Sequence, residues 1–445
     1  MRPQRDESDS AFSPYQVLVV GLCALVAMLD GFDTQAIAFV APVIAKAWGV
    51  PVSGFGPAFA IGLFTGILGS AAFGVIADRR GRRLTILVTT AMFAAGAFAT
   101  LMSKTMADLT LYRALTGFGL GGAIPSIVAL SAEFSPPRLR ATTVTAMFCG
   151  IPLGAVVGAA ASVPLIQHWG WPAVFLAGGA APLLLLPVLA AWLPESISWL
   201  RDHGRGDRAE ATRAKTRLPS FADRSAEPAE RPGLTALLLS GRALATLSLW
   251  CAFFLSLLLV FFLVSWIPAI AVAQTHKPAL GAAAAAVFNL SAVAGALVLG
   301  RLVDRFGAVR IVGAAYVAAA VGVMLIGLGP DARASVFVFS VFSGFFGMGA
   351  QLCLVAVAAD FYSPGLRATG VGAAMGAGRL GAIAGSLAGG VLLGGAGAAQ
   401  FPPVLCVLAL MACVALAAAA ALKRRERSIG MPGLAEEAAA ASPSA

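Results

Sequence analysis

Twelve apolar segments, each near the length of a helix that crosses a bilayer, follow one another along this chain of 445 residues. They run over 16–44, 54–77, 84–103, 108–132, 141–167, 172–193, 243–271, 279–300, 309–329, 334–360, 368–393 and 399–422. A helix needs about 20 apolar residues to span the hydrocarbon. Backbone polar groups inside a membrane must be satisfied internally, which leaves helices or closed barrels. These segments are too long for barrel strands, and 50 glycines with abundant alanine suit close-packed membrane helices. Only 12% of the residues are charged, against roughly 25% in a soluble domain, so the chain cannot cover a water-facing surface. Residues 1–15 are polar and lack the basic-then-apolar order of a signal peptide, so the first segment is expected to stay as a helix.

The formal net charge of +10 would suggest a nucleic-acid partner until the basic residues are placed. One alternate set of loops, with both termini, holds 25 Lys and Arg; the opposite set holds four, Lys46, Lys104, Lys277 and Arg333. The positive-inside rule therefore puts both ends in the cytoplasm and accounts for the charge without nucleic acid. The one long loop, 194–242, carries nine Lys/Arg and seven Asp/Glu and is expected to be a cytoplasmic linker. It separates a first six-helix bundle, 16–193, from a second, 243–422, with a cytoplasmic tail over 423–445. All six cysteines fall inside apolar segments without paired spacing, which fits packing residues rather than a disulfide or metal framework.

The two halves repeat. Gly74-Val-Ile-Ala-Asp78-Arg79-Arg-Gly81 recurs 226 residues later as Gly300-Arg-Leu-Val-Asp304-Arg305-Phe-Gly307. Arg140-Ala-Thr recurs as Arg367-Ala-Thr, 227 residues on, and Leu153-Gly-Ala meets Leu380-Gly-Ala at the same offset. The loop from Gly74 through Asp78, Arg79, Gly81, Arg82 and Arg83 resembles the signature loop of the major facilitator superfamily. Within that superfamily the chain is most similar to the aromatic acid:proton symporters. The first helix carries Asp30-Gly-Phe-Asp33, the fourth Arg113-x-x-x-Gly117-x-Gly119-x-Gly121 followed by Glu133, and the sixth ends Pro194-Glu195-Ser196. Ser265-Trp266-Ile-Pro268 and Gly378-Arg379-Leu-Gly381 extend the resemblance to the seventh and eleventh helices. The resemblance implies an all-α integral membrane protein of the major facilitator fold: twelve transmembrane helices in two six-helix bundles related by pseudo-two-fold symmetry. It also implies alternating access, one bundle rocking against the other around a central site.

Ionisable side chains within a span cost about 2.5–3.5 kcal/mol each at the helix centre on insertion scales, so the few present are candidates for function. Asp30 lies roughly 21 Å from the cytoplasmic end of its helix at 1.5 Å per residue, and Arg113 roughly 8 Å from the outer end of its own. Asp30 and Asp33, three apart, share a helix face. One of them is expected to pair with Arg113 in one state and to take up a proton in another; the plainer alternative is a static ion pair. Glu133, grouped with these as a coupling residue, lies at the cytoplasmic end of its helix, where a gate or latch role fits better. Arg379 falls roughly 20 Å deep, near mid-membrane, where its planar fork suits a substrate carboxylate. Phe32, Trp266 and Phe288 are candidate walls for an aromatic ring. Gly74, Asp78, Arg79, Gly81, Arg82 and Arg83, with Asp304 and Arg305 of the repeat, are candidates for a conformational latch; setting topology is the plainer role for the basic ones.

The leading reading is a monomeric symporter of the bacterial inner membrane that imports a small aromatic carboxylate with protons. It would need no cofactor or metal, the proton gradient being the driving force, and no partner but its substrates and the lipid bilayer. Benzoate, hydroxybenzoates, protocatechuate, gentisate and phenylpropanoid acids all present one carboxylate and one ring. A carrier of another organic anion or a sugar, or an exporter, is the alternative within transport. The fifth segment lacks the Gly-Pro pair of many proton-driven drug exporters, and the Pro-Glu-Thr that sugar porters carry after the last helix is missing beyond Leu422. A sensor would be expected to add a signalling domain. An enzyme would need a nucleophile–base pair, a metal cluster or a phosphate-cradling loop, none of which the sequence offers.

Overall fold

The computed structural model describes residues 12–136, 139–216, 237, 243–324, 332–362, 367–395 and 401–428. The described residues are helical and turn in character and contain no strand. The chain divides into two compact units, 1–225 and 226–445.

In the first unit the helices are α1 (Pro14–Trp48), α2 (Gly56–Arg80), α3 (Arg82–Thr100), α4 (Met106–Glu133), α5 (Arg140–Phe148), α6 (Gly150–Trp169), α7 (Pro172–Trp192), α8 (Ile197–Asp202) and α9 (Gly206–Arg213). Local sequence sets several of their ends. Ser13 opens α1 with a capping box, its hydroxyl accepting from the Gln16 N–H at 3.2 Å while its own N–H donates to the Gln16 side chain at 2.8 Å. Thr105 and Asp108 make the same reciprocal pair at the start of α4. Gly49 ends α1 in the left-handed region at φ +66°, where a side chain would be strained. The core gathers Val19, Leu22, Val26, Ile86, Ile127 and Leu189.

The fifth segment forms one span over Thr142–Trp169, with α5 and α6 joined at Cys149, which keeps its helical bonds to Thr145 and Leu153 at 3.1 and 3.2 Å. One departure from the expected segments occurs here. The start of the expected linker is structured: Ile197 and Leu200 of α8 and Ala209 of α9 are buried in the core of the first unit.

The second unit holds α10 (Ala243–Thr275), α11 (Pro278–Phe306), α12 (Ala308–Met324), α13 (Ala332–Phe342), a π-helical turn (Ser343–Met348), α14 (Gly349–Phe361), α15 (Arg367–Gly395) and α16 (Phe401–Ser428). The π turn interrupts what the sequence presents as one span, 334–360. Parts of the expected segments 309–329 and 399–422, Arg138, and the side chains of Asp360 and Arg367 lie outside the described residues. Eleven described helices or helix pairs are long and apolar enough to cross a membrane, with α12 shorter. Large apolar side chains point outward, among them Leu184 at 74% and Val391 at 77% exposure, a surface that water would not tolerate but lipid tails would.

The sequence repeat returns in the packing. A Cβ on Gly69 of α2 would overlap the carbonyl oxygen of Phe118 on α4; a Cβ on Gly295 of α11 would overlap that of Phe345 in the π turn. Gly117 meets the Gly62 carbonyl as Gly344 meets that of Phe288, and Gly154 meets Met28 as Gly381 meets Phe254. Each second member lies 226 or 227 residues beyond the first, so the same backbone-to-backbone approaches hold both units together. Only glycine lets helices come this close.

Candidate functional site: a buried charge pair and a basic loop

Asp33 sits in the middle of α1 and is 1% exposed; Arg113, in the third turn of α4, is 4% exposed. Arg113 Nη1 donates to Asp33 Oδ2 at 2.7 Å. Asp33 Oδ1 and Arg113 Nε have no hydrogen-bond partner among the described residues. The pair is thus joined by a single hydrogen bond rather than the two-pronged contact that a carboxylate and a guanidinium can make. Glycines border it. Asp33 Oδ1 lies 4.0 Å from where a Cβ of Gly178 on α7 would stand, and Arg113 Nη2 lies 3.9 Å from the same point at Gly62 on α2.

The sequence left open which aspartate meets the arginine. Asp30 is half-buried and accepts a hydrogen bond from Thr34 Oγ1 at 3.1 Å; the ion pair belongs to Asp33. Helix α4 begins at Met106, so Arg113 is roughly 10 Å along it at 1.5 Å per residue, slightly deeper than the sequence segment implied. Glu133 does not join this pair. Its carboxylate accepts from Arg82 Nη1 at 2.9 Å and from the Ser198 N–H at 2.5 Å, which places it with the loop after α2.

That loop is fixed by a residue the candidate set omitted. Glu195, just beyond α7, accepts from the N–H groups of Arg82 at 2.8 Å and Arg83 at 3.1 Å, capping the first turn of α3 with a carboxylate. Its own neighbour Ser196 donates an N–H to it at 2.9 Å and receives Arg82 Nη1 at 3.1 Å. Gly81 turns at φ +100° directly against Glu195, where a Cβ would overlap the carboxylate. Trp199 Nε1 donates to the Asp78 carbonyl at 2.9 Å, and Arg83 reaches the Ala190 carbonyl. The Asp78 and Arg79 side chains themselves are exposed, and at Gly74 a Cβ would meet open space. The signal for Glu195 was in the sequence, in Pro194-Glu195-Ser196, but its partner across 113 residues was not.

In the second unit Arg379 is half-buried on α15 and already engages a neighbour. Trp266 is fully buried, its indole donating to the Ser386 carbonyl at 3.0 Å, and Phe288 is 1% exposed. Both rings fill helix contacts here, and Phe32 packs on the glycine faces of α6 and α7 at Gly158 and Gly178. Asp304 and Arg305 are exposed, Arg305 lying over the Phe306 ring at 5.2 Å. Sequence reading missed a buried polar chain in which Tyr316 donates to Ser256 and Ser256 to Gln351. Among the described residues no group of three or more His, Cys, Asp or Glu could hold a metal.

Residues 23–284 and 249–443 match the model of the Major Facilitator Superfamily. The chain is 35% identical to the 4-hydroxybenzoate transporter PcaK of Pseudomonas aeruginosa, over 91% of this chain and 92% of that one. It is 34% identical to the 3-(3-hydroxy-phenyl)propionate transporter of Escherichia coli, over 86% and 89% of the two chains. Its fold is that of the xylose transporter XylE from E. coli, in a partially occluded inward-open structure, with a TM-score of 0.66 at 16% identity over 92% of this chain and 97% of that one. A chain of many apolar helices, built from two like units and matched over nearly its whole length, belongs to the major facilitator superfamily and, within it, to the aromatic acid transporters.

Proposed function

We propose that this transporter imports a small aromatic carboxylate together with protons across the bacterial inner membrane, by alternating access. The observation that carries the reading is the Asp33–Arg113 pair, buried yet joined by one hydrogen bond. In a low dielectric such a pair is held by Coulomb attraction against a large desolvation cost, and small geometric changes tip the balance. In this reading a motion that parts Arg113 from Asp33 leaves each without its counter-charge, and a proton carried on the aspartate is the exchange that links the two arrangements. A cycle that alternates the two carries protons inward down their gradient. The aromatic acid enters a negatively charged cytoplasm against its own charge, and the protons offset that cost.

Arg379 is the residue we assign to the substrate carboxylate, with the ring of the acid held by apolar side chains. Both curated relatives named above are transporters of acids that pair one ring with one carboxylate, and this supports the substrate class. Twelve spans, α12 included, with both termini in the cytoplasm complete the arrangement, and the excess of basic residues on one set of loops supports that orientation. The working unit is a monomer, driven by the gradient without a bound cofactor. The test is uptake of a labelled panel of aromatic acids by cells expressing the protein, with and without a protonophore. Uptake of a ring acid that collapses with the gradient is expected. Uptake that persists after the gradient is gone, or none from protein shown to be in the membrane, would remove the symport reading.

A further inference from the structure

A cavity of about 410 Å³ opens beside the end of α7 in the first unit. Five cations line it, Arg80, Arg83, Arg205, Arg208 and Lys215, against one acid, Glu195. One oxygen of that acid accepts from the N–H groups of Arg82, Arg83 and Ser196, and its single charge leaves the lining at +4, five cations less one acid. Two of the cations lie over aromatic rings, Arg205 at 5.4 Å from the centre of Trp199 and Lys215 at 5.5 Å from that of Tyr15. Neither Arg80 nor Arg208 forms an ion pair among the described residues. Arg83 spends one guanidinium nitrogen on the Ala190 carbonyl and pairs with no carboxylate among the described residues.

So much uncompensated positive charge around a hollow calls for a ligand with two or more negative oxygens. The cavity lies at the end of α7, whose outer side is apolar. Trp192 lines it and is 57% exposed, and Leu184, two turns back along α7, is 74% exposed. Tryptophan at the end of an apolar helix marks the membrane–water boundary. A phosphate seated among the arginines would therefore have its acyl chains beside the exposed leucines of α7. We propose that this cavity is a binding site for the phosphate of an anionic phospholipid, on the face that the loop charges assign to the cytoplasm. The site ties α8 and α9 to the membrane surface, and through Arg83 and Glu195 it touches the loop that joins α2 to α3.

The test uses the full chain purified in mild detergent, so it does not depend on transport. Binding of phosphatidylglycerol, phosphatidylcholine and inorganic phosphate would be measured by native mass spectrometry and by the shift in thermal unfolding. Phosphatidylglycerol is expected to bind and raise the unfolding temperature, and the other two are not. Each basic residue near an anionic lipid contributes about fivefold, so the double variant Arg205→Gln/Arg208→Gln should bind about 25-fold more weakly. The charge-keeping Arg205→Lys/Arg208→Lys variant should retain most of the binding and shows that the glutamine variant has lost charge rather than fold. Equal effects of inorganic phosphate would overturn the lipid assignment. Undiminished lipid binding by the glutamine variant would overturn the site.

Discussion

At the scale of single residues, a buried arginine and aspartate joined by one hydrogen bond can be a strut or a switch, and the two roles respond differently to neutralisation. Removing one partner of a buried pair leaves an uncompensated charge and typically costs about 3–5 kcal/mol, whereas removing both charges is often nearly neutral. Arg113→Gln should therefore lower the unfolding temperature, and Asp33→Asn/Arg113→Gln should recover much of it. If the pair is a switch, the double variant stays unable to accumulate substrate even though it is stable. Asp33→Asn alone should still exchange internal for external substrate, because exchange needs no net proton movement. Concentrative uptake by the stable double variant would leave the pair as a strut. For Arg379, replacement by lysine keeps the charge and loses the planar fork. The Michaelis constant for uptake should rise about tenfold, equivalent to about 1.4 kcal/mol of lost carboxylate contact; an unchanged constant would withdraw the assignment. The sequence made these charges conspicuous, since an apolar segment tolerates few. It did not say that Asp33 rather than Asp30 meets Arg113, because residues three apart share a face and the choice depends on how α1 rotates against α4. Nor did it show that Trp266 and Phe288 are buried in helix contacts, because an aromatic residue in an apolar helix reads the same whether it faces a ligand or another helix.

At the scale of elements, the close approaches of α1 to α6 and of α2 to α4 define the first unit. Gly154→Ala places a Cβ into the Met28 carbonyl and should cost about 1–3 kcal/mol, the usual cost of overpacking. Gly21→Ala, where nothing lies within 4 Å, should instead be neutral or stabilising by up to about 1 kcal/mol from helix propensity. Thermal unfolding of the two variants in the same detergent gives the comparison, and equal effects would mean that the α1–α6 contact relaxes freely. The loop after α2 offers a second check. Glu195→Gln keeps the side chain's length but removes the negative charge from the first turn of α3, a loss of about 1 kcal/mol or somewhat more in a partly buried setting. The same substitution at Glu133 removes the partner of Arg82, and the two changes should be less than additive because both act through Arg82. Strict additivity would separate the loop into independent contacts. Helix positions were largely legible as apolar runs, but the interruption of one of them was not. The π turn over Ser343–Met348 lies in a largely apolar segment, where no periodicity exists to be broken. The short helices α8 and α9 escaped for the opposite reason: they are too short and too charged to show a span, and only Ile197, Trp199, Leu200 and Ala209 on them meet the core.

At the scale of the whole molecule, the two units share backbone contacts and differ in charge. The repeat carries Gly117 onto Gly344 and Gly154 onto Gly381, but it carries Arg113 onto Ser340 and, at the 226-residue offset of Met28 and Phe254, Asp33 onto Leu259. In the other direction Arg379 falls on Pro152. The repeat thus preserves what packs and lets what ionises diverge; on the proposed roles, proton coupling and anion binding fall to different units. The repeat and its charge asymmetry were readable from the sequence because both are matters of residue identity at a fixed offset. The depth and pairing of the charges required the fold. This division predicts that the kinetic consequences of mutation sort by unit. Asp33→Asn should flatten the dependence of uptake on external pH while leaving the affinity for substrate in exchange within about threefold, a change of about 0.7 kcal/mol. Arg379→Lys should do the reverse, weakening substrate affinity with the pH profile of maximal uptake unchanged in shape. Both profiles can be taken from the same cells with one labelled acid, varying external pH and substrate concentration together. Should Arg379→Lys flatten the pH profile, or Asp33→Asn abolish exchange by loss of affinity alone, protons and substrate would be bound by one shared set of charges. The asymmetry between the units would then be an accident of packing rather than a division of labour.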